Sequence, residues 1–190
     1  MSDPHGQDGP DPTGNPWTRL SRRVAYENPW VVVYHDEVTR PDGNPGIYGT
    51  VHFCNRAIGV VALDAADRVL LVGQYRYPLD VYSWEIPEGG GPIEEDPLTA
   101  ARRELEEETG YRAGRVEQLI MFQPRAGTVD AEYFVYVGRD PERVGEPTEV
   151  NEAVRMEWVP LASVPGMIAA GEIWNAGSLV ALLRFLMKDS

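Results

Sequence analysis

Cysteine and histidine are scarce in this sequence, which contains one cysteine, Cys54, and three histidines among 190 residues. A single cysteine excludes an intrachain disulfide and favours a reducing compartment. No Ser/His/Asp or Cys/His arrangement indicates a nucleophilic active site, and His35 and His52 fall in predicted strands, where a structural role is expected.

Long apolar runs are also absent. No stretch approaches the roughly 20 apolar residues that are needed to cross a bilayer. The first residues are polar and acidic rather than of signal-peptide type. We therefore expect a cytoplasmic protein that does not bind a membrane.

Positive charge is under-represented, with 17 Lys and Arg against 30 Asp and Glu and a net charge of −13. Because nucleic-acid phosphates favour a basic surface, this balance argues against nucleic acid as a partner. An acidic chain can still bind a polyphosphate if metal cations lie between the two sets of negative charge. The hydrophobic share of 43% and the charged share of 25% are close to globular averages, which excludes wholesale disorder.

Three regions follow one another along the chain. Residues 1–16 contain Pro, Gly and Asp with almost nothing apolar, which predicts a disordered tail. Residues 17–56 form an N-terminal β region, and residues 57–190 form the main domain. Strands are predicted at Leu20–Tyr26, Trp30–Val38, Ile47–Phe53, Ile58–Leu63, Val69–Gln74, Val116–Phe122, Tyr133–Val137 and Val154–Val159. The fourth and fifth of these strands indicate a buried hairpin.

Helices are predicted in the second half of the chain. Asp96 as N-cap, Pro97 at the first helical position and Gly110 as a left-handed stop predict a helix over Pro97–Thr109. Two more are predicted near Leu161–Ala170 and over Ala176–Met187. The fold class is therefore α+β, a mixed sheet covered by helices, with a strand-rich N-terminal region.

The first predicted helix carries a cluster of acidic residues. Glu104, Glu107 and Glu108 stand at positions i, i+3 and i+4, so their carboxylates share one face of the helix. Such a face is often a solvated surface. The alternative is a site for hard divalent cations, which take oxygen ligands.

The residues around this cluster favour the cation site. The stretch from Gly89 to Tyr111 has the spacing Gly-x5-Glu-x7-Arg-Glu-Leu-x-Glu-Glu-x-Gly-Tyr. This pattern resembles the signature of the Nudix hydrolases, the Nudix box, with every defining position filled. The resemblance implies an α/β/α sandwich of the Nudix type.

The resemblance also implies a metal site for Mg²⁺, or for Mn²⁺ in its place. Glu104 and Glu108 would be the principal ligands, Glu107 would share a second ion, and the backbone carbonyl of Glu88 would add a further ligand. Gly89–Gly91 are expected to form a tight turn that brings this carbonyl to the metal. Arg103 would form a bidentate pair with Glu95.

Metal ions determine the expected chemistry. They neutralise a diphosphate and lower the pKa of a bound water, so that water can attack phosphorus in line and break the P–O–P bridge. No protein nucleophile is then required. The expected enzyme is a Nudix pyrophosphohydrolase.

Residues outside the box suggest a substrate class. The segments Gln74-Tyr-Arg-Tyr-Pro78, Trp84-Glu-Ile-Pro87 and Gly171–Leu179 resemble the ADP-ribose pyrophosphatase and nucleoside-diphosphate-sugar branch of the family. By analogy, Arg76 contacts the diphosphate or the terminal ribose, and Glu85 lies near the metal or the sugar. Trp30 would stack on the base, and Arg125 would contact phosphate.

Two further features are implied by this branch. A glutamate in the loop before the last strand would act as metal ligand or general base; Glu152 is preferred, with Glu149 as the alternative. Exchange of the N-terminal strands between subunits implies a homodimer. The usual Ser-Pro-Gly with a following glutamate is replaced here by Gln123-Pro-Arg-Ala-Gly127, which leaves GDP-mannose and other nucleotide sugars open beside ADP-ribose.

Other functions remain as alternatives. One is a Nudix domain that binds such a ligand as a sensor without cleaving it, although sensors usually lose a box carboxylate. Another is a Nudix enzyme that acts on nucleoside triphosphates or dinucleoside polyphosphates.

Overall fold

The computed structural model describes residues 14–148 and 155–187. The chain divides into two compact units, residues 1–52 and residues 53–190. The predicted disordered tail lies outside the described residues except for residues 14–16. In the described part of the chain, no helix is long and apolar enough to span a membrane.

The N-terminal unit is a three-stranded sheet in the order β1–β2–β3. Its strands are β1 Thr18–Glu27, β2 Val31–Thr39 and β3 Pro45–Phe53, the last of which runs to the boundary with the second unit. The predicted turn between β2 and β3 is present, and Gly43 adopts φ +80° there, which explains the glycine. Trp30 was expected inside a strand, but it precedes β2, in a turn where the Asn28 side chain accepts hydrogen bonds from the backbone N–H groups of Trp30 and Val31, both at 2.9 Å.

The second unit contains a mixed seven-stranded sheet. Its strands are β4 Asn55–Leu63, β5 Arg68–Arg76, β6 Val81–Glu85, β7 Glu88–Pro92, β8 Tyr111–Phe122, β9 Tyr133–Arg143 and β10 Arg155–Pro160. The central order is β10–β5–β4–β9–β8, with β6 paired to β5 and β7 paired to β4. The pairing of β4 with β9 is parallel, and the other recorded pairings are antiparallel.

Helices cover both faces of this sheet. On one face lies α1, Pro97–Thr109, which begins and ends as predicted, with the Asp96 side chain accepting from the Thr99 N–H at 3.0 Å and Gly110 at φ +72°. On the other face, a 3₁₀ turn at Leu161–Ser163 leads into the short helix α2, Val164–Ala169, so the second predicted helix is divided. The third helix, α3, spans Ala176–Leu186 and packs Leu182 and Phe185 into the core. The α+β fold class is confirmed.

The predicted hairpin between β4 and β5 is wrong over most of its length. The two strands pair at Leu63↔Val69, next to the turn that joins them. Beyond that point β5 pairs with β6, and β4 pairs with β7. The segment that forms β6 and β7 therefore lies between the two strands, and it carries Glu85 and Glu88 into the middle of the sheet.

Candidate active site

Burial separates three of the four glutamates of α1, the clustered residues Glu104, Glu107 and Glu108. Glu104 is 4% exposed and Glu108 is 1% exposed, whereas the side chain of Glu107 is 36% exposed. Two of the three carboxylates therefore do not form a solvated surface. Because isolated carboxylates are costly to bury, each must be satisfied by donors or cations.

Gly89–Gly91 form strand β7 rather than the expected tight turn. Gly89 pairs with Ile58 and Gly91 pairs with Arg56 across the sheet. The turn comes later, where the Glu95 N–H donates to the Pro92 carbonyl at 3.0 Å. The glycine at position 89 is required for space, since a Cβ there would overlap the carboxylate of Glu104.

The backbone of Glu88 and Gly89 lies beside both buried carboxylates of α1. The Glu88 N–H donates to Glu108 Oε2 at 2.8 Å, and Gln74 Nε2 donates to Glu108 Oε1 at 2.6 Å. The carboxylate of Glu104 lies directly against Gly89. Strand β7 and helix α1 therefore form a corner in which two carboxylates contact two neighbouring residues of the strand.

Arg103 holds the outer side of this corner. Its Nε and Nη2 bond the two oxygens of Glu95 at 3.3 and 2.9 Å, the bidentate contact that the resemblance implied. Its Nη1 donates to Glu104 and to Glu107, each at 2.7 Å. These carboxylates raise the pKa of Arg103, which stays charged.

The donors at the corner suit a hard divalent cation. Within residues 14–148 and 155–187, no three Asp, Glu, His or Cys side chains are grouped so that they could hold a metal by themselves. Mg²⁺, however, is commonly held by one or two carboxylates and completes its shell with water and substrate phosphate. The buried carboxylates of Glu104 and Glu108 suit this requirement, and the resemblance adds the carbonyl of Glu88. Arg103 bonds both Glu104 and Glu107 at 2.7 Å, and Glu107 is the more exposed of the two.

A second polar cluster adjoins the corner. Arg76 Nε donates to Glu85 Oε1 at 2.9 Å, and its Nη2 contacts Glu85 Oε2 and donates to Glu88 Oε1 at 2.5 Å. Asn175 Nδ2 donates to the same Glu88 oxygen at 3.1 Å, and the Tyr133 hydroxyl contacts Glu88 Oε2. Glu85 is fully buried, so Arg76 is its counter-ion.

Burial dominates the electrostatics of this cluster. Burial, together with the nearby Glu85 carboxylate, raises the pKa of Glu88 to about 8. Burial and the Glu88 carboxylate also raise the pKa of the Tyr133 hydroxyl. Hydrogen bonding to Glu85 raises the pKa of Arg76, so the guanidinium remains charged.

The remaining predicted site residues are Arg125, Trp30, Glu149 and Glu152. Arg125 is exposed in the turn between β8 and β9, where its carbonyl accepts from the Thr128 and Val129 N–H groups. Trp30 is 67% exposed in the N-terminal unit. Glu149 and Glu152 lie outside the described residues, but Thr148, just before them, donates from its N–H to the Glu107 carbonyl at 2.8 Å. Their proposed roles stay predictions.

No role was predicted from the sequence for three residues of the site, Gln74, Asn175 and Tyr133. Gln74 and Asn175 belong to the segments that resemble the ADP-ribose branch, and this was an available signal. Tyr133 has no comparable signal, since it opens an ordinary strand. Its hydroxyl reaches Glu88 because β9 lies parallel to β4, directly opposite Ala57.

Comparisons with known proteins agree with this arrangement. The NUDIX domain family matches residues 55–181, so the chain belongs to the Nudix family and is a Nudix pyrophosphohydrolase. The nucleoside diphosphate sugar hydrolase N-terminal domain matches residues 17–51.

Individual relatives extend over most of the chain. A CMP-5'-(N-acetyl-N-hydroxy-3-aminopropyl)phosphonate hydrolase from Streptomyces rubellomurinus is 34% identical over 90% of this chain and 82% of its own length. An ADP-ribose pyrophosphatase from Mycobacterium tuberculosis is 32% identical over 86% of this chain and 80% of its own length. The solved structure of an ADP compounds hydrolase superposes with a TM-score of 0.82 at 18% identity, covering 90% of this chain and 93% of that one, which supports the fold.

Proposed function

We propose that this protein hydrolyses the diphosphate bond of ADP-ribose or a related nucleoside diphosphate sugar with Mg²⁺, giving a nucleoside monophosphate and a sugar phosphate. The observation that carries the proposal is that two buried carboxylates contact neighbouring residues of β7, Glu108 at the Glu88 N–H and Glu104 at Gly89. A buried corner of this kind, on the complete box, is suited to an oxygen-coordinated cation and a phosphate ligand. The match of residues 17–51 to an N-terminal domain of nucleoside diphosphate sugar hydrolases supports the substrate class.

The chain's own residues have three tasks in the proposed reaction. Glu104, Glu108 and the Glu88 carbonyl would hold the cation, while Gln74 and the Glu88 N–H orient the carboxylate of Glu108. A bound cation would supply charge neutralisation of the diphosphate and a water of lowered pKa. Arg76 contributes a fixed positive charge for the diphosphate.

The proposed reaction is attack of water on phosphorus, with a side chain removing a proton from that water. The oxygen of water forms a bond to one phosphorus, the bridging P–O bond breaks, and the bridging oxygen leaves with the other phosphate. We assign removal of the proton from the attacking water to Glu152, with Glu149 as the alternative. No side chain forms a covalent bond to the substrate in this scheme.

A CMP-linked phosphonate is a second candidate substrate. The relative from Streptomyces rubellomurinus is named for a CMP-phosphonate, whose nucleotide is joined to a phosphonate instead of a sugar phosphate. The scissile P–O–P bond is of the same class in both candidates. Residues outside the corner would therefore determine which base and which leaving group the enzyme accepts.

A substrate panel tests the proposal. The protein is incubated with ADP-ribose, GDP-mannose, a CMP-phosphonate, nucleoside triphosphates and dinucleoside polyphosphates, each with Mg²⁺, Mn²⁺ or EDTA, and products are separated by chromatography. We expect cleavage of the nucleotide sugars to a nucleoside monophosphate with Mg²⁺ and none with EDTA. Reaction in ¹⁸O-labelled water, read by mass spectrometry, identifies the phosphorus that is attacked.

Other outcomes of the panel would reject the proposal in distinct ways. Tight binding of a nucleotide sugar without cleavage under any metal would indicate the sensor. Faster cleavage of triphosphates or dinucleoside polyphosphates would place the protein among the other Nudix enzymes.

We also propose a homodimer formed through the N-terminal unit. All ten residues of β1 are exposed in the single chain, and the strand carries Leu20, Val24 and Tyr26 at 61%, 49% and 57% exposure. A strand so exposed, with apolar side chains, is suited to burial against a second copy of the chain. Trp30, close by in sequence, would then contribute to stacking on the base.

A further inference from the structure

The side chain of Glu88 contacts residues from three elements other than its own strand. It lies on β7 and contacts Arg76 at the end of β5, Tyr133 at the start of β9 and Asn175 at the N-terminus of α3. Both carboxylate oxygens are used, and the side chain is 11% exposed. The metal role implied for Glu88 concerns its backbone carbonyl and leaves this side chain without a function.

The two carboxylates next to Arg76 determine the orientation of its guanidinium. Glu85 binds Nε and Nη2 in a bidentate manner, and Glu88 adds a second acceptor to Nη2. Nη1 makes no hydrogen bond to the described residues. The planar group is therefore held on one edge and leaves the other available to a ligand.

The backbone of Glu88 is bound to the metal corner at the same time. Its N–H donates to Glu108 Oε2 at 2.8 Å. One residue thus contacts a carboxylate of the corner through its main chain and Arg76 through its side chain. Glu88 therefore connects the corner and the guanidinium of Arg76 by direct contacts.

We propose that Glu88 is a positioning residue that holds Arg76 at a fixed place relative to the metal corner, so that Arg76 can bind the substrate diphosphate. This inference rests on the proposed function. Asn175 and Tyr133 contribute by holding the Glu88 carboxylate, and Asn175 is itself fixed because its Oδ1 caps α3 through Gly177 and Ser178.

Two explanations of the role of Glu88, its charge and its contact with Arg76, predict different effects of substitution on substrate binding. Repulsion between Glu88 and an anionic substrate, which its raised pKa already weakens near neutral pH, would be relieved equally by Glu88→Gln and Glu88→Ala, so neither variant would weaken substrate binding. If it acts by position, glutamine retains an acceptor for Arg76 and rescues the function, whereas alanine does not. The two variants therefore separate the two explanations.

The experiment is a comparison of steady-state constants on the nucleotide sugar that the wild type cleaves best. We expect Glu88→Ala to raise KM about tenfold with kcat within about threefold, and Glu88→Gln to keep KM within about threefold of wild type. Glu117→Ala, which removes an exposed carboxylate of β8, is the matched control and should change neither constant. Thermal unfolding confirms that each variant is folded at the assay temperature.

A double-mutant cycle tests whether Glu88 acts through Arg76. Arg76→Lys is used because it keeps a positive charge beside the fully buried Glu85 and loses the planar fork. In the Arg76→Lys background, Glu88→Ala should have little further effect on KM. The full effect in that background, or equal effects of the glutamine and alanine variants, would overturn the inference.

Failure of the proposed function is distinguishable from failure of this inference. If the wild type cleaves no nucleotide sugar, the proposed function fails, and the same cycle is then measured as dissociation constants for ADP by calorimetry. Coupling between positions 88 and 76 in ADP binding would support the positioning role independently of turnover. Additive effects in that measurement would reject it.

Discussion

At the scale of single residues, the buried carboxylate of Glu108 shows how neutral donors fix the orientation of an acidic side chain. Its two oxygens accept from Gln74 and from the backbone of Glu88, so the group keeps one orientation although it is 1% exposed. Neither of these donors carries a charge. An orientation fixed in this way suits the cation-binding role proposed for Glu108.

Neutralising this carboxylate should abolish most of the activity. We expect Glu108→Gln to lower kcat at least about 100-fold with the fold retained, because a metal ligand loses its charge while the Gln74 amide can reverse to accept from the new side chain. Glu106→Gln on the same helix is the control, since Glu106 bonds Arg112 at 2.9 Å, away from the corner. Equal rates for Glu108→Gln and wild type would remove Glu108 from the mechanism.

Gly89 makes a second prediction at this scale. A methyl group at this position would overlap the Glu104 carboxylate, so Gly89→Ala should displace that ligand and weaken Mn²⁺ binding about 10- to 100-fold, as measured by calorimetry. The neighbouring Gly90→Ala brings its Cβ to 3.2 Å from the exposed Asn55 side chain, which can move. Similar metal affinities for the two variants would show that the space at Gly89 is unimportant.

At the scale of elements, the end of α1 connects the box to the chain that follows β9. Gly110 adopts φ +72°, and its carbonyl accepts from the Val144 N–H at 2.9 Å. Thr148 then bonds the Glu107 carbonyl. The helix terminus is thus used to place the chain immediately before Glu149 and Glu152.

Alanine at this helix end should destabilise the protein. A side chain at Gly110 would be strained by the positive φ and would place a Cβ 2.4 Å from the Gly145 carbonyl oxygen. We expect Gly110→Ala to lower the free energy of unfolding by about 1–3 kcal/mol in urea titrations. Gly166→Ala in α2 has open space and no positive φ, and it should be neutral or stabilising. A neutral Gly110→Ala would contradict the assigned cap.

At the scale of the whole molecule, the two compact units are stabilised differently. The second unit has an apolar core on each face of its sheet, whereas the N-terminal sheet has few buried side chains. Its buried Asp36 is paired with Arg22 through two bonds of 2.7 Å. Polar contacts therefore contribute a larger share of the stability of the N-terminal unit.

The Arg22–Asp36 pair predicts an acid-sensitive contribution to stability. Hydrogen bonding to Arg22 lowers the pKa of Asp36, so the contribution is present above the unfolded-state pKa and is lost as pH falls through the lower, folded-state pKa. Asp36→Asn should therefore reduce stability at pH 7, and its difference from wild type should shrink as the pH is lowered toward 3. Urea unfolding monitored across this range measures the effect. Glu37→Gln, on an exposed position of the same strand, should show no such convergence.

The oligomeric state is the second prediction at this scale. We expect sedimentation to give twice the mass of one chain, and Val24→Lys to shift the equilibrium toward monomer, since it puts a charge into the proposed interface. Arg23→Lys is the control because it retains the charge of an exposed residue. A monomeric wild type at micromolar concentration would reject the homodimer.

Local chemistry explains what could be predicted from the sequence. The capping residues Asp96 and Gly110 set both ends of α1, and the spacing of its glutamates placed them on one face. The Nudix assignment also follows from this segment, because the spacing of the box is a local property. Arg103 and Glu95 are eight positions apart, so the turn before α1 and the first part of that helix are enough to bring them together.

The remaining features depend on distant segments meeting. The strands β6 and β7 were not predicted. The sequence of β7, Glu88–Pro92, contains three glycines and a proline and has little strand propensity by itself. Their place between β4 and β5 comes from sheet pairing, which is non-local.

Neighbouring residues are enough to specify the box helix, its ends and the positions of its acidic residues. Tertiary packing buries Glu104 and Glu108 against the backbone of Glu88 and Gly89, and it brings Gln74 to Glu108 and both Tyr133 and Asn175 to Glu88. The contacts of Gln74, Tyr133 and Asn175 join residues 34 to 87 positions apart. Pairings at such separations arise from the register of strands and the packing of helices, which no local pattern encodes.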